Sequence, residues 1–248
     1  MRLENQVVLV FGGGRGLGRA TALLFAAEGA DIAVAARTKK EIESVAEEAK
    51  KLGRRAMAVK TDATKPREVK DAVQRTIDAY GKIDILVNSQ GDWLIKPTLQ
   101  TTEEDWDHIM GTNLKSVYLT CREVLPHMIR RKRGHIFNIG SASGLWYPGG
   151  GIITIYKASK MGLAGFSKAL AEEQAPNGVG VHLIAPHPMD TPMRWESTPN
   201  ADRPALIRPE VVADIMATIA SHPELRISEA IVPEMNLLYM SSYKRAPA

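Results

Sequence analysis

Tyr156 and Lys160, in Tyr156-Lys157-Ala158-Ser159-Lys160, stand four residues apart, a spacing that on a helix puts both side chains on one face. A free phenol titrates near 10 and is a poor base at neutral pH. An ammonium held about 4 Å away, at an effective dielectric of about 20, favours the phenolate by roughly 4 kcal/mol, or about three pK units before desolvation. Such a pair could give or take a proton near neutral pH. The same spacing also arises by chance on a half-exposed helix with a tyrosine at its packing edge. At the other end of the chain, Val7-Val8-Leu9-Val10-Phe11-Gly12-Gly13-Gly14-Arg15-Gly16-Leu17-Gly18 reads as a strand, a glycine-rich turn and the start of a helix. Glycines permit the positive φ of a tight turn and a close approach of backbone to a pyrophosphate. The free N–H groups at the helix start favour that anion. Where the second strand ends, Ala35-Ala36-Arg37-Thr38 offers no carboxylate for a ribose 2′-hydroxyl. Arg37 and Arg15 could instead clamp a 2′-phosphate, or both could be solvated surface arginines. The expected cofactor is NADP(H) rather than NAD(H).

These residues need elements to hold them. Short apolar runs alternate with longer amphipathic ones. Strands are expected at Gln6–Phe11, Asp31–Ala36, Arg55–Lys60, Ile83–Asn88, His135–Gly140, Val179–Ala185 and Ile227–Val232. Helices are expected at Gly16–Glu28, Lys39–Leu52, Pro66–Tyr80, Glu103–Arg131, Tyr156–Gln174 and Pro209–Ser221. Glycine stops and a proline start mark several of these boundaries. The alternation predicts an α/β chain: a single-domain, Rossmann-type, doubly wound parallel sheet of about seven strands over residues 1–248, with helices on both faces. Ligands in such sheets lie beyond the carboxyl ends of the strands, where strand order reverses, and the candidate residues all follow strands. The segment 186–209 is Pro-rich and without clear periodicity, and is expected to form a lid over the site.

The 248 residues are 44% hydrophobic and 24% charged, with net charge +4 and one cysteine. That apolar share supports a core and excludes wholesale disorder. Lone Cys121 excludes an intramolecular disulfide framework and a multi-cysteine metal site, and no metal is expected. No apolar run is long enough to span a membrane, and no signal-peptide pattern opens the chain. A cytoplasmic protein is expected. The charges are interspersed, which argues weakly for nucleic acid. The basic run Arg130-Arg131-Lys132-Arg133 reads as a helix C-terminus, where cations match the dipole.

The glycine turn, Asn88-Ser89-Gln90-Gly91, Asn113, Ser141 and Tyr156/Lys160 follow one another at intervals that resemble the short-chain dehydrogenase/reductase family over residues 3–232. The resemblance implies a homo-oligomer, dimer or tetramer, moving hydride between a nicotinamide and a carbonyl or alcohol. It implies that Tyr156 is the acid/base on the substrate oxygen, while Lys160 lowers its pKa and holds the nicotinamide ribose. Asn113 would anchor a water in a proton relay. Gly12, Gly16, Leu17 and Gly18 would form the pyrophosphate turn. Asp62, with Ala63, resembles the adenine contact, and Asn88 through Gly91 the turn beside the adenosine ribose. Pro186 and Thr191 sit where the family meets the nicotinamide carboxamide. For the substrate-orienting serine, the local motif points to Ser141, whereas the family's interval to the tyrosine points to Ser143. Ser141 is the expected residue, with Ser143 beside the substrate; continued extended backbone would point both to one side. Three residues depart from the family pattern: Phe11 for a threonine, Gln90 for an alanine and His187 for a glycine.

Trp93, Trp146, Tyr147, Met189, Met193 and Trp195 are expected to line the substrate pocket, suiting a hydrophobic, medium-sized ketone or aldehyde. An acyl-thioester ketone is the nearest alternative substrate. A non-catalytic nucleotide sensor on the same fold is the alternative of another class, and a nicotinamide-independent lyase a third.

Overall fold

A computed structural model describes residues 1–145, 152–197, 199, 206–222, 224–225 and 229–232. Seven strands form one sheet: β1 (Val7–Phe11), β2 (Asp31–Ala36), β3 (Ala56–Lys60), β4 (Ile85–Asn88), β5 (Gly134–Ile139), β6 (Val179–Pro186) and β7 (Glu229–Val232). Their order is β3-β2-β1-β4-β5-β6-β7, and every pairing is parallel. The order reverses between β1 and β4, which opens a crevice at their carboxyl ends.

The strands are mostly apolar because both faces are covered. On one face Val8, Val10, Ile32, Val34, Ile85 and Phe137 meet α1 (Gly16–Ala27), α2 (Lys39–Lys51) and α8 (Pro209–Ala220). On the other, Leu9, Phe11, Ala33, Ala35, Leu86 and Ile136 meet α3 (Pro66–Tyr80), α5 (Ser116–Arg131) and α6 (Thr154–Gln174). Alternate residues of β1 thus serve opposite cores, as the period of two requires. The basic run is absorbed as expected: α5 ends at Arg131, which bonds the Ile83 carbonyl and pairs with buried Asp84.

The expected helix over Glu103–Arg131 is in fact α4 (Glu103–Met110), one π-helical turn (Gly111–Lys115) and α5. The extra residue of that turn carries Asn113 inward, where it is fully buried, and such turns recur at functional sites. The proline-rich segment holds a short helix that periodicity did not reveal, α7 (Pro192–Ser197), six residues being too few to show a period. Its flanks are zipped together, with Asp190 N–H donating to the Ile207 carbonyl (2.9 Å) and Ile207 N–H to that of Pro188 (3.0 Å).

Candidate active site

The glycine turn lies at the reversal point. Gly12 has φ +72° and Gly16 φ +53°, conformations that side chains with a Cβ rarely adopt. A Cβ on Gly12 would come within 2.5 Å of the Gln90 backbone, and one on Gly18 within 2.2 Å of the Gly12 carbonyl oxygen. Phe11 replaces the expected hydroxyl without loosening the turn. Gly12 N–H donates to the Ala35 carbonyl (2.8 Å) and Ser89 N–H to that of Phe11 (3.0 Å), while the Phe11 ring fills the core.

A groove runs from this turn along the strand ends. Gly12, Arg15, Gly16, Leu17, Arg37, Asp62, Ala63, Ser89, Gly91, Tyr156, Lys160 and Thr191 border it, with Thr191 close against Gly16. Asp62 accepts from the Thr64 amide (2.9 Å) and hydroxyl (2.7 Å). Partial burial works against its ionisation, yet those bonds and the nearby Arg37 and Lys65 hold its carboxyl below the usual range. Three expected cofactor residues do not border the groove. Gly18 is packed beneath the turn. Asn88 is buried, bonded to Asn138 (2.8 Å) and Thr120 (2.7 Å), and so ties β4 to β5 and α5. Pro186 borders the neighbouring cavity instead. Arg15 bonds Glu196 of α7, so its guanidinium joins the glycine turn to the expected lid.

A second cavity of about 450 Å³ opens beside the first. Trp93, Ile95, Ser141, Ser143, Ile152, Ile153, Pro186 and His187 border it, and both spaces share Gly140, Tyr156, Met189, Thr191 and Met193. Tyr156 therefore stands where a ligand in the groove and one in the cavity would meet. Trp93 leans on it, with ring centroids 4.1 Å apart. Trp195 does not border the cavity; its indole N–H donates to Asp190 (2.7 Å). Trp146 and Tyr147 lie outside the described residues.

Around Tyr156 the side chains are nearly dry. Burial pushes the pKa of the Tyr156 phenol up to about 12, against the opposing pull of the nearby Ser141 hydroxyl. Lys160 is 5% exposed, its ammonium is pushed down to about 8 by burial, and its Nζ donates to the Ile139 carbonyl (2.9 Å). It lies 5.9 Å from the centre of the Tyr156 ring. The expected depression of the phenol is therefore not what this site gives: burial of the phenolate is the largest influence on it and raises its pKa. Ser141 and Ser143 both border the cavity, but the extended backbone does not continue between them. The backbone turns into a 3₁₀ segment, Ala142–Gly144, in which the Ser141 hydroxyl accepts from Ser143 N–H (3.2 Å). Gly144 is required there, because a Cβ would come within 2.5 Å of Lys160 Cβ.

Asn113 lies behind the tyrosine. Its amide bonds both the N–H (2.7 Å) and the carbonyl (3.0 Å) of Asp92, and also Ser159 Oγ (3.0 Å). The sequence pattern did not single out Asp92 or Ser159. For Ser159 a signal existed, since it lies one helical turn from Tyr156, whose carbonyl its hydroxyl bonds (2.7 Å).

A family model described as short chain dehydrogenase matches residues 6–202. The chain belongs to that family. This short-chain dehydrogenase is 33% identical over 240 residues to the 3-oxoacyl-[acyl-carrier-protein] reductase FabG of Thermotoga maritima, covering 94% of this chain and 97% of the relative. It is 35% identical over 207 residues to the (2S)-[(R)-hydroxy(phenyl)methyl]succinyl-CoA dehydrogenase subunit BbsD of Thauera aromatica, covering 84% and 82%. Among solved structures, a metagenomic short-chain oxidoreductase in complex with NADP superposes with TM-score 0.81 at 31% identity, covering 94% and 99%. No described helix of the short-chain dehydrogenase is long and apolar enough to cross a membrane.

Proposed function

We propose that this short-chain dehydrogenase is an NADP(H)-dependent reductase of a hydrophobic, medium-sized ketone or aldehyde, acting in the cytoplasm as a homodimer or homotetramer. The observation that carries this reading is the place of Tyr156, at the junction of groove and cavity, with Ser141 bordering the same cavity. The groove suits a dinucleotide. Gly12 leaves no room for a Cβ and Gly16 holds a positive φ, the groove's anion end is a helix start, and Arg37 is an exposed cation at the end of β2. Gln90 adds a buried side-chain oxygen with no partner beside the groove.

A nicotinamide dinucleotide held by the glycine turn, Arg37 and Lys160 would supply the hydride for the carbonyl carbon. The chain's own groups manage the oxygen. The Ser141 hydroxyl orients it, and the Tyr156 phenol donates its proton to the nascent alkoxide. The Lys160 ammonium then favours the phenolate left behind and offers donors to ribose hydroxyls. Asn113 holds the Asp92 loop against α6, which keeps the relay side of Lys160 in place. Trp93, Met189, Met193 and Ser143 shape the substrate's surroundings. Arg37, and Arg15 once drawn from Glu196, bind the 2′-phosphate.

The relatives' names favour one second reading, a 3-oxoacyl-thioester reductase. A panel of ketones, aldehydes and 3-oxoacyl thioesters, followed by nicotinamide absorbance with NADPH and NADH, separates the readings. Tyr156→Phe should lower turnover by about 10³-fold while leaving dinucleotide binding intact; undiminished turnover refutes the mechanism. Arg37→Ala should erase a preference for NADPH, and a higher kcat/KM with NADH that Arg37→Ala leaves unchanged refutes the cofactor assignment. Binding without any turnover leaves the sensor, and no binding leaves the lyase.

A further inference from the structure

Asp92, in the loop after β4, does more than its main-chain grip on Asn113. Its Oδ1 accepts from Trp93 N–H (2.8 Å), and its Oδ2 lies 2.8 Å from His108 Nε2. His108 is on α4, just ahead of the π-helical turn that carries Asn113. Two routes lead from this carboxylate to Tyr156. One passes through Trp93, whose ring leans on the phenol at 59° with centroids 4.1 Å apart. The other passes through the Asp92 backbone to Asn113, then Ser159 Oγ, then the Tyr156 carbonyl. The preceding residue leaves the loop little slack: a Cβ on Gly91 would lie 3.3 Å from Asn113 Oδ1 and 3.5 Å from Lys160 Nζ. The Asp92 and His108 side chains are 40% and 48% exposed. Exposed pairs of this kind add little to stability, so the main consequence of this one is where it holds the loop.

We propose that Asp92, braced by His108, is a positioning residue for Tyr156, and that the pair sets turnover rather than substrate affinity. The inference rests on the reading of Tyr156 as proton donor. Small displacements of a reacting group are costly, about 10²-fold for 1 Å, whereas the cavity walls that hold the substrate lie mostly on other elements.

The test uses the full chain, NADPH and the best carbonyl of the panel. Asp92→Ala should lower kcat roughly 10- to 100-fold with KM within about twofold. Asp92→Asn keeps an acceptor for Trp93 N–H and should restore most of that loss. His108→Leu should lower kcat and His108→Gln, which keeps a donor, should not. The double variant Asp92→Ala/His108→Leu should be no worse than Asp92→Ala alone, the signature of one coupled unit. Unchanged kcat, a loss confined to KM, or additive single effects overturns the proposal. Should Asp92→Ala fail to fold, the exposed His108 variants carry the test. Should the wild-type chain turn over no carbonyl, the functional reading fails by itself. Acrylamide quenching of Trp93 emission, taken as the difference from Trp93→Phe, then decides. Greater quenching in His108→Leu supports the brace, and equal quenching overturns it.

Discussion

Lys160→Met isolates the electrostatic cost of the site. The ammonium titrates at about 8 in the folded chain against an ordinary 10.5, and burial is the cause. Below pH 8 the folded chain keeps this proton at a cost of about 3 kcal/mol, from 2.5 pK units at 1.36 kcal/mol each. Between pH 8 and 10.5 the unfolded chain binds a proton that the folded chain has released, so stability rises with pH across that window. Other groups act in the opposite sense. Cys121, Tyr156 and Tyr80 are each pushed up to about 12 from 9.0, 10.0 and 10.0, and raised acids lower stability once the unfolded forms ionise. They occur in both proteins, so the wild-type-minus-variant difference largely cancels them. That difference should climb by about 2.5 kcal/mol between pH 7 and pH 10. Urea unfolding at several pH values and one fixed protein concentration measures it. The slope is the discriminating quantity, because at any single pH the variant also leaves the Ile139 carbonyl without its donor, costing about 1–3 kcal/mol. A difference that stays flat to within about 0.5 kcal/mol over that range would refute the claim that a buried, destabilised ammonium stands behind Tyr156.

The ammonium also fixes a pH profile: charged below about 8, it favours the phenolate that reduction leaves behind, so kcat/KM for reduction should be level at low pH. Above about 8 it should fall tenfold per pH unit, and a profile level to pH 10 contradicts this. Ser141→Ala should lower kcat/KM about 10²-fold while Ser143→Ala stays within about threefold; steady-state rates showing the reverse order would reassign the serine.

Much of this architecture is legible in the chain because both signals used are local. Pro66 and Gly81 bound α3 where a proline start and a glycine stop predict, and the β2 bounds match an apolar run directly. What escaped depends on long-range contact. The π-helical turn carries Asn113 onto Asp92, 21 residues earlier, and no local periodicity encodes that. Trp195 departs from expectation for a local reason: it has the composition of a pocket residue, yet its indole finds Asp190 just ahead of α7. Asp92 carries no motif at all; only the fold brings His108, Trp93 and Asn113 onto it.

The same distinction explains the phenol. Spacing alone places an ammonium near Tyr156 and implies easier ionisation, but spacing says nothing of water. The fold removes water from both groups, raising the phenol to about 12 and lowering the amine to about 8. For a proton donor this is no handicap. A nascent alkoxide is a far stronger base than a phenolate, so transfer from the phenol stays downhill even with its pKa raised by burial. Alcohol oxidation must run the same transfer uphill and first strip the phenol of its proton. On the proposed mechanism, burial thus keeps the phenol protonated and ready to donate at neutral pH, and the charge of Lys160 serves chiefly to hold the phenolate that each turnover leaves.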